Sequence, residues 1–322
     1  GEFKKTEKML KGLPKQTRLE NRFAIDSINQ TMLRIRKDFS LSPTDGRAQI
    51  EKRMGHAVSN EKINYWKRKR YIEADTIDGK EMWFRRSVGN FFLLNNEDFK
   101  SENAAEKKST HDYYAKFYNQ AMQCPSDDDN LRNPHKWQLT FNLKVNANAI
   151  PDGDTLRVWL PYPMETTRQT NVKLIKSSAP VKVSQGTFHT TAYMEGVARK
   201  DKPSTFSITY SFVSNEQHFS RAGIMSRLKP YNKETEMYRQ YTAEEYPHII
   251  KSEKMKKLAK TIVGEEKNPV LQASMIYDWI AGNFPWAGAG EYSTIPNIPE
   301  YVVENRHGDC GQVALLYITL AR

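Results

Sequence analysis

A chain of 322 residues, 38% hydrophobic and 27% charged, is long enough for two or three domains with a sizeable core, yet markedly polar for its size. Its net charge of +11 divides as +5 over residues 1–130, +6 over 131–215 and zero over 216–322; nucleic-acid binders concentrate such charge on one face, so that class is disfavoured. The longest nearly continuous apolar stretch, Val313 to Ala321, falls well short of the roughly 20 residues that a membrane-spanning helix needs.

The opening residues GEFKKTEKML contain no apolar segment of signal-peptide type. Phe23, Ile25, Ile28, Met32, Leu33, Ile35 and Phe39 recur at spacings near three and four, which predicts an amphipathic helix. Ser42-Pro43-Thr44-Asp45-Gly46 interrupts that pattern as a turn. The basic run Lys67-Arg68-Lys69-Arg70 is followed at once by Glu73 and Asp75, as on a solvated surface. Arg70–Ile77 and Lys80–Val88 flank Asp78-Gly79, a strong two-residue hairpin signal. The polar stretch from Asn95 to Thr110 predicts a loop. It leads into a helix whose Tyr113, Tyr114, Phe117, Tyr118 and Met122 are expected to pack in a core. Asp127-Asp128-Asp129, between Pro125 and Asn130, predicts a linker.

A second part, 135–215, is β in character. Trp137, Leu139, Phe141, Leu143, Val145 and Ala147 alternate with polar residues, the mark of a strand with one buried face. Pro151-Asp152-Gly153 turns into Leu156–Leu160, and Phe206, Ile208, Tyr210 and Phe212 repeat the alternation. Short strands with turn residues between them predict an antiparallel β-sandwich. Its inner face is expected to carry Trp137, Leu139, Phe141, Leu143, Phe206, Ile208, Tyr210 and Phe212.

The third part, 216–322, is helical. Met255, Leu258, Ala259 and Ile262 form one stripe closed by Gly264. Asn268-Pro269 opens the next helix as cap and first residue. A loop rich in Gly and Pro, from Gly282 to Pro299, leads to Gly308-Asp309-Cys310-Gly311 and a final helix apolar on nearly every side, which is expected to be buried. Together the three parts predict an α+β protein: a mainly helical N-terminal region with a hairpin (1–130), the sandwich (135–215) and the helical third part (216–322).

The chain holds two cysteines, Cys124 and Cys310, and no CxxC or Cys/His cluster of a zinc site. No motif implies a metal or organic cofactor. Cys310 stands at a helix N-terminus, where unpaired N–H groups and the helix dipole favour the reactive thiolate. Gly308 and Gly311 clear space for a carbonyl carbon to approach. The Cys310 N–H is placed to hold a developing oxyanion, and Asp309 to cap the helix. The plainer alternative is a buried core cysteine between two structural glycines.

Arg306-His307-Gly308-Asp309-Cys310-Gly311, with its apolar helix ending Leu320-Ala321-Arg322, resembles the nucleophile motif of the transglutaminase-like superfamily. Asn283-Phe284-Pro285-Trp286 resembles that family's approach to its cysteine, and the strand-rich segment from Trp137 with Leu160-Pro161-Tyr162-Pro163 resembles the β domain ahead of the core in bacterial members. The resemblance covers roughly 137–322. It implies a papain-like core, of which 216–322 would be the first half, and a Cys-His-Asp triad with Cys310 as nucleophile. It also implies Trp286 as an oxyanion-hole donor, although on sequence grounds alone a buried aromatic anchor is the plainer role. The implied His and Asp lie on strands after the nucleophile helix; the seven histidines of this chain all precede Cys310, so a further segment or chain is expected to complete the core. The implied reaction is hydrolysis or acyl transfer at an amide or isopeptide bond of a peptide or protein, with cell-surface or cell-wall material as one source. A periplasmic or extracellular location follows from the same resemblance. Two other classes stay open: a non-catalytic binding or scaffold protein retaining the fold, and a glycan- or cell-wall-binding module using the aromatics of 83–118.

Overall fold

Helices α1 (Phe3–Gly12), α2 (Lys15–Glu20) and α3 (Arg22–Asp38) begin the chain. They belong to a computed structural model that describes residues 1–125, 130–184, 186 and 188–322, without the side chains of 96, 97 and 99–107. The acidic run Asp127-Asp128-Asp129 lies outside the described residues. The period expected over 23–39 does give a helix, but of its apolar side chains only Met32 is buried, and Phe23 is 87% exposed.

The interruption expected at 42–46 is present, α3 having ended at Asp38, and it takes the form of a new helix start. Ser42 is the N-cap of α4 (Pro43–Met54), its hydroxyl accepting the Asp45 N–H at 3.1 Å, with proline in the first turn. Proline lacks a donor that the first turn could not use anyway, so Ser-Pro opens helices as readily as it ends them. After α5 (Asn60–Arg68), strands β1 (Ala74–Ile77) and β2 (Lys80–Trp83) pair antiparallel around Asp78-Gly79, both at positive φ. Then come α6 (Ser87–Leu94) and α7 (Asn96–Gln123). The loop expected over 95–110 is therefore helix: its Glu, Lys and Ala residues are good helix formers, and polarity alone does not unmake a helix. On α7, Tyr113, Tyr114, Phe117 and Tyr118 are exposed rather than packed in a core.

Strand β3 (Leu131–Val145) is followed by β4 (Thr155–Tyr162), β5 (Gln169–Ser177), β6 (Lys182–Val183), β7 (Thr190–Val197) and β8 (Ser204–Gln217). They make two antiparallel three-stranded sheets, ordered β3-β8-β5 and β4-β7-β6. A shared core joins Leu156, Val158 and Leu160 of β4, Ala192 and Met194 of β7, and Phe206, Ile208 and Tyr210 of β8. The expected inner face holds on β8 and fails on β3. Trp137, Leu139, Phe141 and Leu143 pair in register with Phe212, Tyr210, Ile208 and Phe206, yet all four are exposed. The reason is position: β8 is the central strand over the core, whereas β3 is an edge strand whose mid-strand side chains lie outside that core.

Short helices α8 (Arg221–Ser226) and α9 (Glu236–Thr242) lead to α10 (Glu253–Val263) and α11 (Pro269–Asn283). The Asn268 side chain caps α11 by accepting the Val270 and Leu271 N–H groups at 2.9 and 3.3 Å. A single 3₁₀ turn, Tyr292–Thr294, precedes α12 (Ile298–Asn305) and α13 (Cys310–Ala321). Leu316 and Leu320 of α13 pack with Met255, Ile276, Ile280, Ile298 and Val302. The last helix is covered on one face only: Val313, Leu315, Tyr317 and Ile318 are half-buried and Ala314 is exposed.

By contacts the chain forms two compact units, 109–227 and a second made jointly of 1–108 and 228–322. Within the joint unit one core belongs to the first stretch alone, around Ile50, Trp66, Trp83 and Phe91. Among the described residues no helix is long and apolar enough to cross a membrane.

Candidate active site

Arg306 ends α12 in the left-handed conformation, φ 60° and ψ 28°, so the chain reverses within His307-Gly308-Asp309 and enters α13 at once. Asp309 is the N-cap. Its carboxylate accepts the Gln312 N–H at 3.1 Å while its own N–H donates to Gln312 Oε1 at 3.2 Å, a complete capping box. That reciprocal pair satisfies two groups and fixes where the helix begins. Cys310 is therefore the first helical residue, with an exposed, free thiol. The N–H groups of Cys310 and Gly311 have no acceptor among the described residues. Two unused backbone donors at the positive end of the helix thus belong to Cys310, which carries the thiol, and to the residue after it.

Two features secure this turn. The Tyr292 hydroxyl donates to the Asp309 carboxylate. Burial and the neighbouring carboxylate hold the phenol well above the usual tyrosine range, so it remains a donor. A Cβ at position 311 would collide with that same hydroxyl, which leaves room for glycine only. On the other flank, Trp286 and Gly308 form an isolated parallel bridge, with the Ala287 N–H donating to the Gly308 carbonyl at 3.1 Å. Trp286 is 55% exposed, so it is not the buried anchor favoured by sequence.

His307 is 4% exposed. Burial first, and then the Arg70 cation, push its pKa down to about 4, so the ring is neutral at neutral pH. Among the described residues it makes no hydrogen bond to Cys310. Cys124 lies elsewhere, its thiol donating weakly to Gln120 O and Asn133 Oδ1 at 3.6 and 3.7 Å. Among the described residues no group of His, Cys, Asp and Glu could hold a metal ion.

The loop between α11 and α12, which carries Trp286 and Tyr292, is held by the first stretch of the chain. Asn90 donates to the Gly288 carbonyl at 2.9 Å and accepts the Gly288 N–H at 2.8 Å. Buried Asp38 accepts from Arg85 Nε at 3.0 Å and from the Glu291 N–H at 2.5 Å. Arg34 reaches Ser293 Oγ at 2.8 Å, and the Tyr301 hydroxyl donates to Glu73 at 2.8 Å. Sequence reasoning missed Asp38, Asn90 and Tyr292. The one signal was the run Ala287-Gly288-Ala289-Gly290, whose small residues let side chains lie directly on the backbone: a Cβ at 288 would stand 2.8 Å from Arg86 Cδ.

Residues 256–322 match a family model, the Transglutaminase-like superfamily core. This segment is similar to the transglutaminase-like superfamily. The match begins in α10 and spans α13, so the capped turn at Cys310 lies inside it. No curated protein matches the chain. Two solved structures are similar to it. One, described as a candidate cysteine protease from Cytophaga hutchinsonii, is 16% identical with a TM-score of 0.39, over 59% of this chain and 64% of that one. The other, described as a candidate protease from Parabacteroides distasonis, is 12% identical with a TM-score of 0.24, over 57% of this chain and 34% of that one. The chain thus spans less than two thirds of either relative.

Proposed function

We propose that this protein is a cysteine-dependent hydrolase or acyltransferase acting on amide or isopeptide bonds of peptides or proteins, with Cys310 as nucleophile. The observation that supports it is an exposed thiol at the capped N-terminus of α13, beside two unused backbone donors, inside the transglutaminase-like segment. Cys310 Sγ bonds to the carbonyl carbon, whose oxygen becomes an oxyanion held by the Cys310 and Gly311 N–H groups. Collapse of the tetrahedral species breaks the C–N bond, and the amine leaves with a proton from the general acid. Water or a second amine then attacks the thioester, breaks the C–S bond and restores the thiol. The general base and its orienting acid are proposed to be a His and an Asp placed after Arg322, the order that the family resemblance implies. Trp286 is proposed as an additional donor to the oxyanion, and an exported location belongs to the same reading.

The test is the native full chain treated with iodoacetamide, with adducts mapped by mass spectrometry. Cys310 is expected to label in the folded protein and faster than Cys124. With the downstream segment present, Cys310→Ala should abolish an acyl adduct that hydroxylamine releases, and reduce turnover by orders of magnitude. Labelling of Cys310 only after denaturation would reject the reading in favour of a non-catalytic binding protein, and turnover that survives Cys310→Ala would reject Cys310 as the nucleophile.

A further inference from the structure

In the basic run Lys67–Arg70, Arg68, Lys69 and Arg70 are exposed, as expected of a solvated surface. Lys67 turns to Glu81 at 3.0 Å. Arg68 and Arg70, at the end of α5, instead meet Arg306, from 236 positions later in the chain (306 − 70 = 236), around a cavity of about 390 Å³. His307 lines the same cavity although it is almost fully buried. Among the described residues Arg68, Arg70 and Arg306 have no ion-pair partner, and the His307 ring has no hydrogen bond. Glu304 lines the same cavity but its carboxylate pairs with Lys254 at 2.8 Å, and the Glu73 carboxylate accepts the Tyr301 hydroxyl at 2.8 Å. Three exposed arginines therefore line one hollow, with Glu304 as the carboxylate in its lining. Guanidinium forks match the oxygens of a tetrahedral anion, and they are less strongly hydrated than ammonium groups.

The backbone adds an independent sign. Arg70 and Arg306 both adopt the left-handed conformation, at φ 62° and 60°. Glycine is the residue that this conformation favours, and it fills the same C-terminal position after α4, at Gly55. Two strained arginines lining one cavity indicate that the side chain is retained at the expense of local backbone energy.

We propose that this cavity is a binding site for a small phosphate-class dianion, held by Arg68, Arg70 and Arg306 with a ring N–H of His307 as a further donor. The volume suits a phosphate ester or diphosphate with part of its parent molecule. Because His307 adjoins Gly308-Asp309-Cys310, the bound anion would sit behind the nucleophile turn. The proposal stands on these residues alone and does not depend on the chemistry at Cys310.

The test uses pyrophosphate as probe with the full chain, by titration calorimetry at constant ionic strength. One saturable site is expected, with the Kd raised at least tenfold in Arg70→Gln and in Arg306→Gln. The imidazole resonances of His307 should shift on addition of pyrophosphate. Arg306→Gly separates binding from folding: it should raise the Tm by a few degrees, by relieving the left-handed residue, while abolishing the site. Absence of saturable binding, binding unchanged in both glutamine variants, or equal binding of chloride at the same ionic strength would overturn the proposal. Inorganic phosphate and a phosphate monoester form two further arms. Tighter binding of the monoester assigns the ligand to an ester, and tighter binding of free phosphate assigns it to the inorganic ion. Citrate binding more tightly than either would overturn the phosphate class.

Discussion

Asp309 and Gly311 show how few side chains define the nucleophile turn. One carboxylate caps α13 and accepts the Tyr292 hydroxyl; one absent side chain admits that hydroxyl. Gly311→Ala is expected to destabilise the fold by about 1–3 kcal/mol through overpacking against Tyr292. In Gly311→Ala/Tyr292→Phe, which removes the colliding oxygen, the loss should be smaller than the sum of the single losses. Denaturant melts of the four proteins in a double-mutant cycle measure this. His307 sets a pH dependence. Its folded pKa lies near 4 against an ordinary 6.5. Between those values the unfolded chain takes up a proton at this ring and the folded chain does not, so stability falls as pH drops from 7 towards 4. The contribution is up to about 3 kcal/mol. Glu73 acts in the opposite sense, since burial raises its carboxyl and the folded chain binds that proton first. Comparing wild type with His307→Gln by chemical denaturation at pH 7 and pH 5 isolates the histidine: the variant should lose less stability on acidification. An equal loss in both would show that His307 does not carry it.

Among the elements, the loop between α11 and α12 depends on α3 and α6 for its shape. Asn90 supplies both a donor and an acceptor to Gly288, and its removal leaves two buried backbone groups unpaired. Asn90→Ala should cost about 2–3 kcal/mol. Amide exchange of residues 286–292 should rise more than that of α10, which does not touch Asn90. Uniform acceleration across both would indicate a global effect instead. The elements themselves were largely legible. The alternation of β8, the Asp78-Gly79 hairpin, the Asn268-Pro269 helix start and the Gly-Asp-Cys-Gly turn all follow local chemistry, and the structure has each of them. What escaped was set from a distance. Trp137 and Phe212 obey the same alternation, but only the strand over the opposite sheet is buried, and a sequence does not say which strand is central. The partners that tie Asp38 and Asn90 to this loop, Glu291 and Gly288, lie 253 and 198 positions away.

At the scale of the whole molecule, the first and last stretches of the chain form one unit, although the sequence divides them by an intervening β region. The contacts between them are polar and specific: Asp38, Glu73 and Asn90 meet Glu291, Tyr301 and Gly288. Residues 228–322 expressed alone would expose those groups together with one face of the α10–α13 core. They are expected to give no cooperative unfolding transition in calorimetry, whereas the full chain is expected to give one. A cooperative melt of the isolated segment would show that the first stretch is dispensable for its fold.

The sequence separations of those three pairs, 253, 228 and 198 residues, have a consequence for synthesis. At ribosomal rates Asn90 is complete roughly 10–40 s before Gly288 exists. The apolar cluster of Ile50, Trp66, Trp83 and Phe91 draws only on nearby residues and can assemble in that interval. Asp38, Glu73 and Asn90 meanwhile lack their partners Glu291, Tyr301 and Gly288. The nascent chain thus passes through a half-built stage with a formed apolar nucleus and an open polar seam. That seam closes only after the β region has been made, so the turn at Cys310 takes its shape after the apolar nucleus has formed.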